Sequence, residues 1–204
     1  MLAMVRIVKN PEERRTELIE TAESLFFQKG YEYTAVSDIV KKINVGQGTF
    51  YHYFKSKEDI LEAVAEKIVA PIAEDVRNIA KGNEDSATKV NSILNSILKA
   101  GNSETGFMKL MHQKGNYLLH DKLEEALEAK ISPIIAEVIS KGMDEGFFNM
   151  SYPKESFILL LSSTLYLSYH FTWDHETHER MCAALEEITA RVLGVKDYRF
   201  HLEI

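Results

Sequence analysis

Residues 47 to 54 read Gln-Gly-Thr-Phe-Tyr-His-Tyr-Phe. On a helix, at about 100° per residue, Gln47, Gly48, Tyr51 and His52 cover one continuous arc, with Thr49 at its edge. Phe50, Tyr53 and Phe54 cover most of the opposite arc. One face therefore packs, and the other presents hydrogen-bond donors and acceptors. That is the chemistry of recognition rather than of bond breaking. Gly48 within the exposed arc costs roughly 1 kcal/mol of helix stability relative to alanine. Close approach of a duplex to the backbone is a reason to tolerate it.

Other chemistry-bearing residues are sparse. His170, Asp174, His175 and His178 are the one group resembling metal ligands, but their spacing fits no zinc pattern, and a solvated helix end accounts for them. Cys182 is the single cysteine, so it forms no intramolecular disulfide, and a reducing cytoplasm is the default compartment. It reads as a small apolar residue on a packed helix. No glycine-rich phosphate loop, nucleophile elbow or zincin motif is present. The reading is therefore of a non-enzyme that needs neither metal nor cofactor.

The elements that position the Gln47 segment are helical. Leu18, Ile19, Ala22, Leu25 and Phe26 form a stripe that Gly30 ends. Thr34 has the side chain of an N-cap, and Val36, Ile39, Val40 and Ile43 follow at helical spacing. Asn44-Val45-Gly46 breaks that helix, and a third helix covers about Gln47 to Tyr53. Two short helices joined by a three-residue turn make a helix-turn-helix, whose second helix enters a major groove about 12 Å wide. Ser56 opens a fourth helix that runs to about Ala80, with Pro71 as a kink. Further helices are expected near Ser86–Ala100, Glu104–Lys114, Leu118–Glu145 (kinked near Pro133), Lys154–Trp173 and Glu176–Leu193.

The stretch Thr34 to Val40, then Val45, then Gly48 to Glu58 resembles the DNA-binding domain of the TetR/AcrR family. Ala22, Leu25, Phe26 and Gly30-Tyr31 fit that family's first helix, so the similarity covers about residues 12 to 62. The resemblance implies an all-α fold. Residues 1–55 would be a three-helix bundle with the helix-turn-helix, joined to a larger helical ligand-binding and dimerisation domain at 56–204. It also implies roles. Gln47 would contact a base, with an amide suited to adenine N6 and N7. Thr49 and Tyr51 would bond phosphates, Tyr51 also packing on a thymine methyl, and His52 would touch backbone or base. Tyr53 replaces a common histidine and would contact phosphate through its hydroxyl, although the arc places it on the packing side. Lys57, at the start of the fourth helix, and Thr34 and Ser37, around the start of the second, suit phosphates. The arc holds no arginine, which shifts affinity toward backbone contacts and two half-sites.

Charge distribution agrees. The net charge is −7, yet residues 1 to 60 carry nine basic and nine acidic side chains and sum to zero. From Lys41 to Lys57 there are four lysines and no carboxylate. An acidic body with one locally basic end suits phosphate contact at that end. The N-terminus lacks the pattern of a secretory signal, and the run from Phe157 to Leu167 falls short of the roughly 18 apolar residues a membrane span needs. A cytoplasmic location without membrane insertion follows as the expectation.

Two recognition helices set about 34 Å apart match successive major grooves of a double-stranded operator, so a homodimer is expected. Phe157, Leu160, Leu161, Thr164, Leu165 and Ser168 form one apolar or small stripe, and Met181, Ala184, Leu185, Ile188 and Val192 another. By the resemblance, these two C-terminal helices pair with their counterparts in a second subunit; ordinary core packing needs the same pattern. Met108, Met111, His112, Tyr117, Tyr166 and His170, together with Phe107, Phe147 and Tyr169, suit an apolar ligand pocket. The function implied is a ligand-responsive DNA-binding regulator, by family habit a repressor, released by a small, largely apolar molecule. The alternative is a regulator controlled by a protein partner or lacking a small-molecule effector.

Overall fold

A computed structural model describes residues 10–102, 115–170, 174–195 and 199–202, with side chains described for all of these except 101–102 and 164–170. Eight helices and no strand occur among the described residues: α1 (Pro11–Lys29), α2 (Val36–Lys42), α3 (Gln47–Tyr53), α4 (Lys57–Lys81), α5 (Ser86–Asn102), α6 (Tyr117–Asp144), α7 (Pro153–His170) and α8 (His175–Leu193). The all-α expectation holds. The helix expected over Glu104–Lys114 lies outside the described residues.

Local signals explain most helix ends. At α1, Asn10 Oδ1 accepts the Glu13 amide at 3.1 Å while Glu13 Oε2 accepts the Asn10 amide at 3.3 Å, and Pro11 takes the first helical position. α2 ends where Asn44 turns left-handed at φ 55°, and the Val45 amide reaches back to Val40 O at 3.0 Å. At α4, Ser56 Oγ accepts the Asp59 amide at 3.1 Å. α4 and α6 each continue through an internal proline, Pro71 and Pro133, as single elements. α8 stops at Gly194, φ 68°, where an added Cβ would stand 2.2 Å from Asn149 O.

Thr34 departs from its expected role. α2 begins one residue later than a Thr34 cap requires, with Ala35 at the boundary. The Asp38 carboxylate accepts the Ala35 amide at 2.9 Å. Thr34 itself is 1% exposed, and its hydroxyl donates to Gly30 O at 2.8 Å, which closes the loop after α1.

Among the described residues, nearly all buried apolar side chains belong to one contiguous cluster. α1, α2 and α3 contribute Leu18, Phe26, Ile39, Val40, Phe50 and (just beyond α3) Phe54. α4 carries the cluster onward through Ile60, Val64, Val69 and Val76, packing along α6 and α5. The α7 residues Phe157, Leu160 and Leu161 are buried within their own subunit, which corrects their assignment to a face for a second subunit. The C-terminal residues are an unforeseen part of the core. Phe200 and Leu202 are buried, and the tail is held by the Leu202 amide on Glu186 Oε1 (2.9 Å) and the His201 amide on Asn91 Oδ1 (2.8 Å).

Candidate nucleic-acid interface

α3 is seven residues long, too short to be stable alone, and its position depends on Phe50. Phe50 is fully buried and packs on Phe54 with ring centroids 5.7 Å apart. Arg15 lies over the Phe54 ring at 5.2 Å and ties α1 to the end of α3. Anchored in this way, α3 turns Gln47, Gly48, Tyr51 and His52 outward as a single exposed face. Tyr51 is 56% exposed, a large solvent share for an aromatic residue, and its ring meets that of Phe50 edge-on. Thr49 and Tyr53 are half-buried at the borders of the face, and the Tyr53 ring meets that of His52 edge-on.

Gly48 fits no intrachain need. An added Cβ would meet nothing within 4 Å, and its φ is not in the left-handed range. The same space is open at Gly46, the residue before α3. The two glycines therefore leave bare backbone on the outside of the molecule at the start of the exposed helix.

The cations around this face are distributed unevenly. Lys41, Lys42 and Lys55 are exposed. Lys29 is committed to Asp38 at 2.6 Å, and that ammonium, with the Ala35 amide next, holds the Asp38 carboxyl below its ordinary pKa. Lys57 Nζ lies 4.0 Å from the centroid of the Tyr31 ring. Burial lowers the pKa of Lys57; nearby Glu32 opposes that shift and Lys29 adds to it. Ser37 is half-buried in the first turn of α2. Thr34 cannot offer its side chain to a phosphate, because the hydroxyl is buried and already bonded.

Two connections between this region and α6 had no counterpart in the sequence reading. Asn116, buried just before α6, accepts the Tyr31 amide at 2.7 Å and donates to Phe26 O at 3.3 Å. Beside it, the Glu32 amide donates to Gly115 O at 3.0 Å. Farther along α6, Lys122 meets Glu62 and Glu125 at 3.1 Å and Glu58 at 3.8 Å, and hydrogen bonds to Glu125 and Glu62 raise its pKa. An asparagine next to a glycine reads as a plain turn, so nothing in the sequence marked Asn116 as a contact.

The expected ligand-pocket residues are only partly visible. Met108, Met111, His112 and Phe107 lie outside the described residues. Tyr166, Tyr169 and His170 fall on α7, but their side chains are not among those described. Tyr117 is 73% exposed at the first position of α6, on the surface rather than in an enclosed cavity, and Phe147 is also exposed. Asp174 caps α8, accepting the Thr177 amide at 2.8 Å, His175 pairs with Glu179, and His178 Nδ1 stands 3.9 Å from Cys182 Sγ. No helix among the described residues is long and apolar enough to cross a membrane.

The profile of bacterial regulatory proteins of the tetR family matches residues 18–64, which contain α2, α3 and the exposed face. The tetracyclin repressor-like C-terminal domain matches residues 99–188, and together the two cover about two thirds of the chain. The uncharacterized HTH-type transcriptional regulator YvdT of Bacillus subtilis is 32% identical over 78 residues, 38% of this chain and 40% of that protein, less than two thirds of its length. The fatty acid metabolism regulator protein of Bacillus subtilis is 26% identical over 143 residues, 68% of this chain and 73% of the relative. The fold is shared with RolR in complex with its ligand resorcinol, at a TM-score of 0.67 and 20% identity, covering 91% of this chain and 89% of that one. The two Bacillus relatives are regulators rather than enzymes, and the matched C-terminal domain follows the matched N-terminal one along the chain. The chain belongs to the TetR family of DNA-binding transcriptional regulators.

Proposed function

We propose that the chain binds a palindromic operator as a homodimer, represses from it in the cytoplasm, and is released by a small, largely apolar molecule. The observation that carries the reading is the exposed face of Gln47, Gly48, Tyr51 and His52 mounted on the buried Phe50 and Phe54. In this arrangement Gln47 and His52 face base edges, Thr49, Tyr51, Tyr53 and Ser37 bond phosphates, and Lys57 leaves the Tyr31 ring to do the same. Residues 1–55 read the DNA, and 56–204 hold the effector and the partner subunit. The dimer surface would lie on the outer faces of α7 and α8, where Leu159 and Ile188 are exposed. A small effector is supported by two relatives, one a regulator of fatty acid metabolism and the other holding resorcinol.

The test is selection of bound duplexes from random sequence, followed by binding titrations on the selected site. A symmetric pair of half-sites is expected. Tyr51→Ala and Lys57→Ala should weaken specific and random duplex alike, with a shallower salt slope for Lys57→Ala. Gln47→Ala should relax preference at one position per half-site by about 1–3 kcal/mol. Unchanged affinity in all three variants would overturn the assignment.

A further inference from the structure

Lys89 on α5 is only 5% exposed, yet no hydrogen bond or ion pair to its ammonium occurs among the described residues. Its stem is buried, and its ammonium, which keeps some solvent contact, has no side-chain partner among the described residues, so the residue presents an unpaired cation. Lys89 lines a cleft of about 470 Å³ between the end of α4, the start of α5 and the second half of α6. Arg77 and Lys81, one turn apart on α4, and Lys141 on α6 line the same cleft, and Glu137 is its single carboxylate among the lining residues. Four cations to one acid is far from the average of this chain, which has 31 acidic and 24 basic residues. Arg77 and Lys141 have acidic neighbours, Glu74 and Glu145. Lys81 and Lys89 have no ion pair among the described residues, so the positive charge of the cleft is unbalanced there. Ala80, Ile134 and Val138 supply an apolar wall, and the volume falls within the range of small-molecule sites.

We propose that this cleft is a binding site for a small organic anion, a carboxylate or phosphate with an apolar portion, whose charged group pairs with Lys89 and Lys81. The apolar portion lies against Ile134 and Val138. A charge-assisted bond to the Lys89 ammonium, held in place by its buried stem, is stronger than a neutral hydrogen bond. The proposal concerns binding alone and stands whether or not the operator reading holds.

The experiment uses the full chain, titrated with sodium hexanoate, inorganic phosphate and hexanol at constant ionic strength, and read by calorimetry and thermal shift. One or both anions should bind and raise the melting temperature, and hexanol should not. Whichever anion binds more tightly identifies the head group. Lys89→Met keeps the buried stem, removes the charge and should lose about tenfold or more in affinity, while the exposed control Lys154→Met should bind as the wild type does. If Lys89→Met does not fold, exposed Lys81→Met replaces it, with a weakening in the same direction. Absence of an anion-specific response, equal binding of hexanol, or wild-type affinity in the folded charge-removed variant would overturn the proposal.

Discussion

Asn116 accepts the backbone amide of Tyr31 at 2.7 Å, so the residue preceding α6 closes the loop that follows α1. Its amide nitrogen also donates to Phe26 O, and the contact is buried on both sides. One side chain thus satisfies the Tyr31 amide and adds a second donor to Phe26 O, which already accepts the Gly30 amide at 2.9 Å. Asn116→Ala would leave the Tyr31 amide unsatisfied, at a cost of about 1–3 kcal/mol for a buried group. A lower melting temperature and faster amide exchange at Tyr31 are expected. Asn116→Asp keeps the acceptor but loses the donor and should fall between the two. Wild-type exchange at Tyr31 in the alanine variant would show that the contact does not hold the loop.

Acid should destabilise the fold through three carboxylates at helix starts. Asp38 is held below its ordinary pKa by Lys29 and the Ala35 amide, and Asp85 and Asp174 by the amides of Thr88 and Thr177. A carboxylate whose folded pKa is depressed contributes stability above its unfolded pKa, about 4, and loses it as the pH falls through the folded value. Melting curves of the wild type and of Asp38→Asn/Asp85→Asn/Asp174→Asn, taken from pH 7 to pH 3, should therefore keep their gap down to about pH 4 and draw together below it. A constant gap across that range would assign the effect to something other than these charges.

The helix-turn-helix was legible because it is local. Phe50 and Phe54 sit four residues apart, Asn44-Val45-Gly46 is turn chemistry, and the exposed arc follows from the helical period. The error at Thr34 is also local. Thr34 is a favoured cap, but its hydroxyl finds Gly30 O, and Asp38 supplies the missing acceptor from inside α2. Contacts distant in sequence were not legible: Asn116 with Tyr31, Lys122 with Glu58 and Glu62, and the C-terminal tail on Asn91 and Glu186. Phe157, Leu160 and Leu161 show the same limit, since one apolar stripe serves equally for a core and for a partner, and here it serves the core.

The proposed dimer makes a separate demand on α8. Ile188 is 50% exposed, and exposed Ala184 lies one turn before it, while Thr189 and Leu193 face inward. Ile188→Glu places a charge on that outer face without entering the core. It should convert the dimer to a monomer in sedimentation while leaving the helical circular dichroism unchanged. A wild-type chain that sediments as a monomer at micromolar concentration, or an Ile188→Glu variant that remains dimeric, would move the interface elsewhere.

Gly48→Ala separates stability from recognition. Within a helix, alanine is favoured over glycine by about 0.5–1 kcal/mol, and here the new Cβ meets nothing within 4 Å. The variant should therefore melt higher than the wild type. In the proposed operator complex the same methyl stands on the exposed face beside Gln47 and Tyr51, where that reading brings the backbone close to the duplex. Affinity should fall even as stability rises. A purely structural glycine would move both quantities in one direction, and a surface glycine of no consequence would leave affinity untouched. Thermal melting and an operator titration on the same preparation distinguish these outcomes.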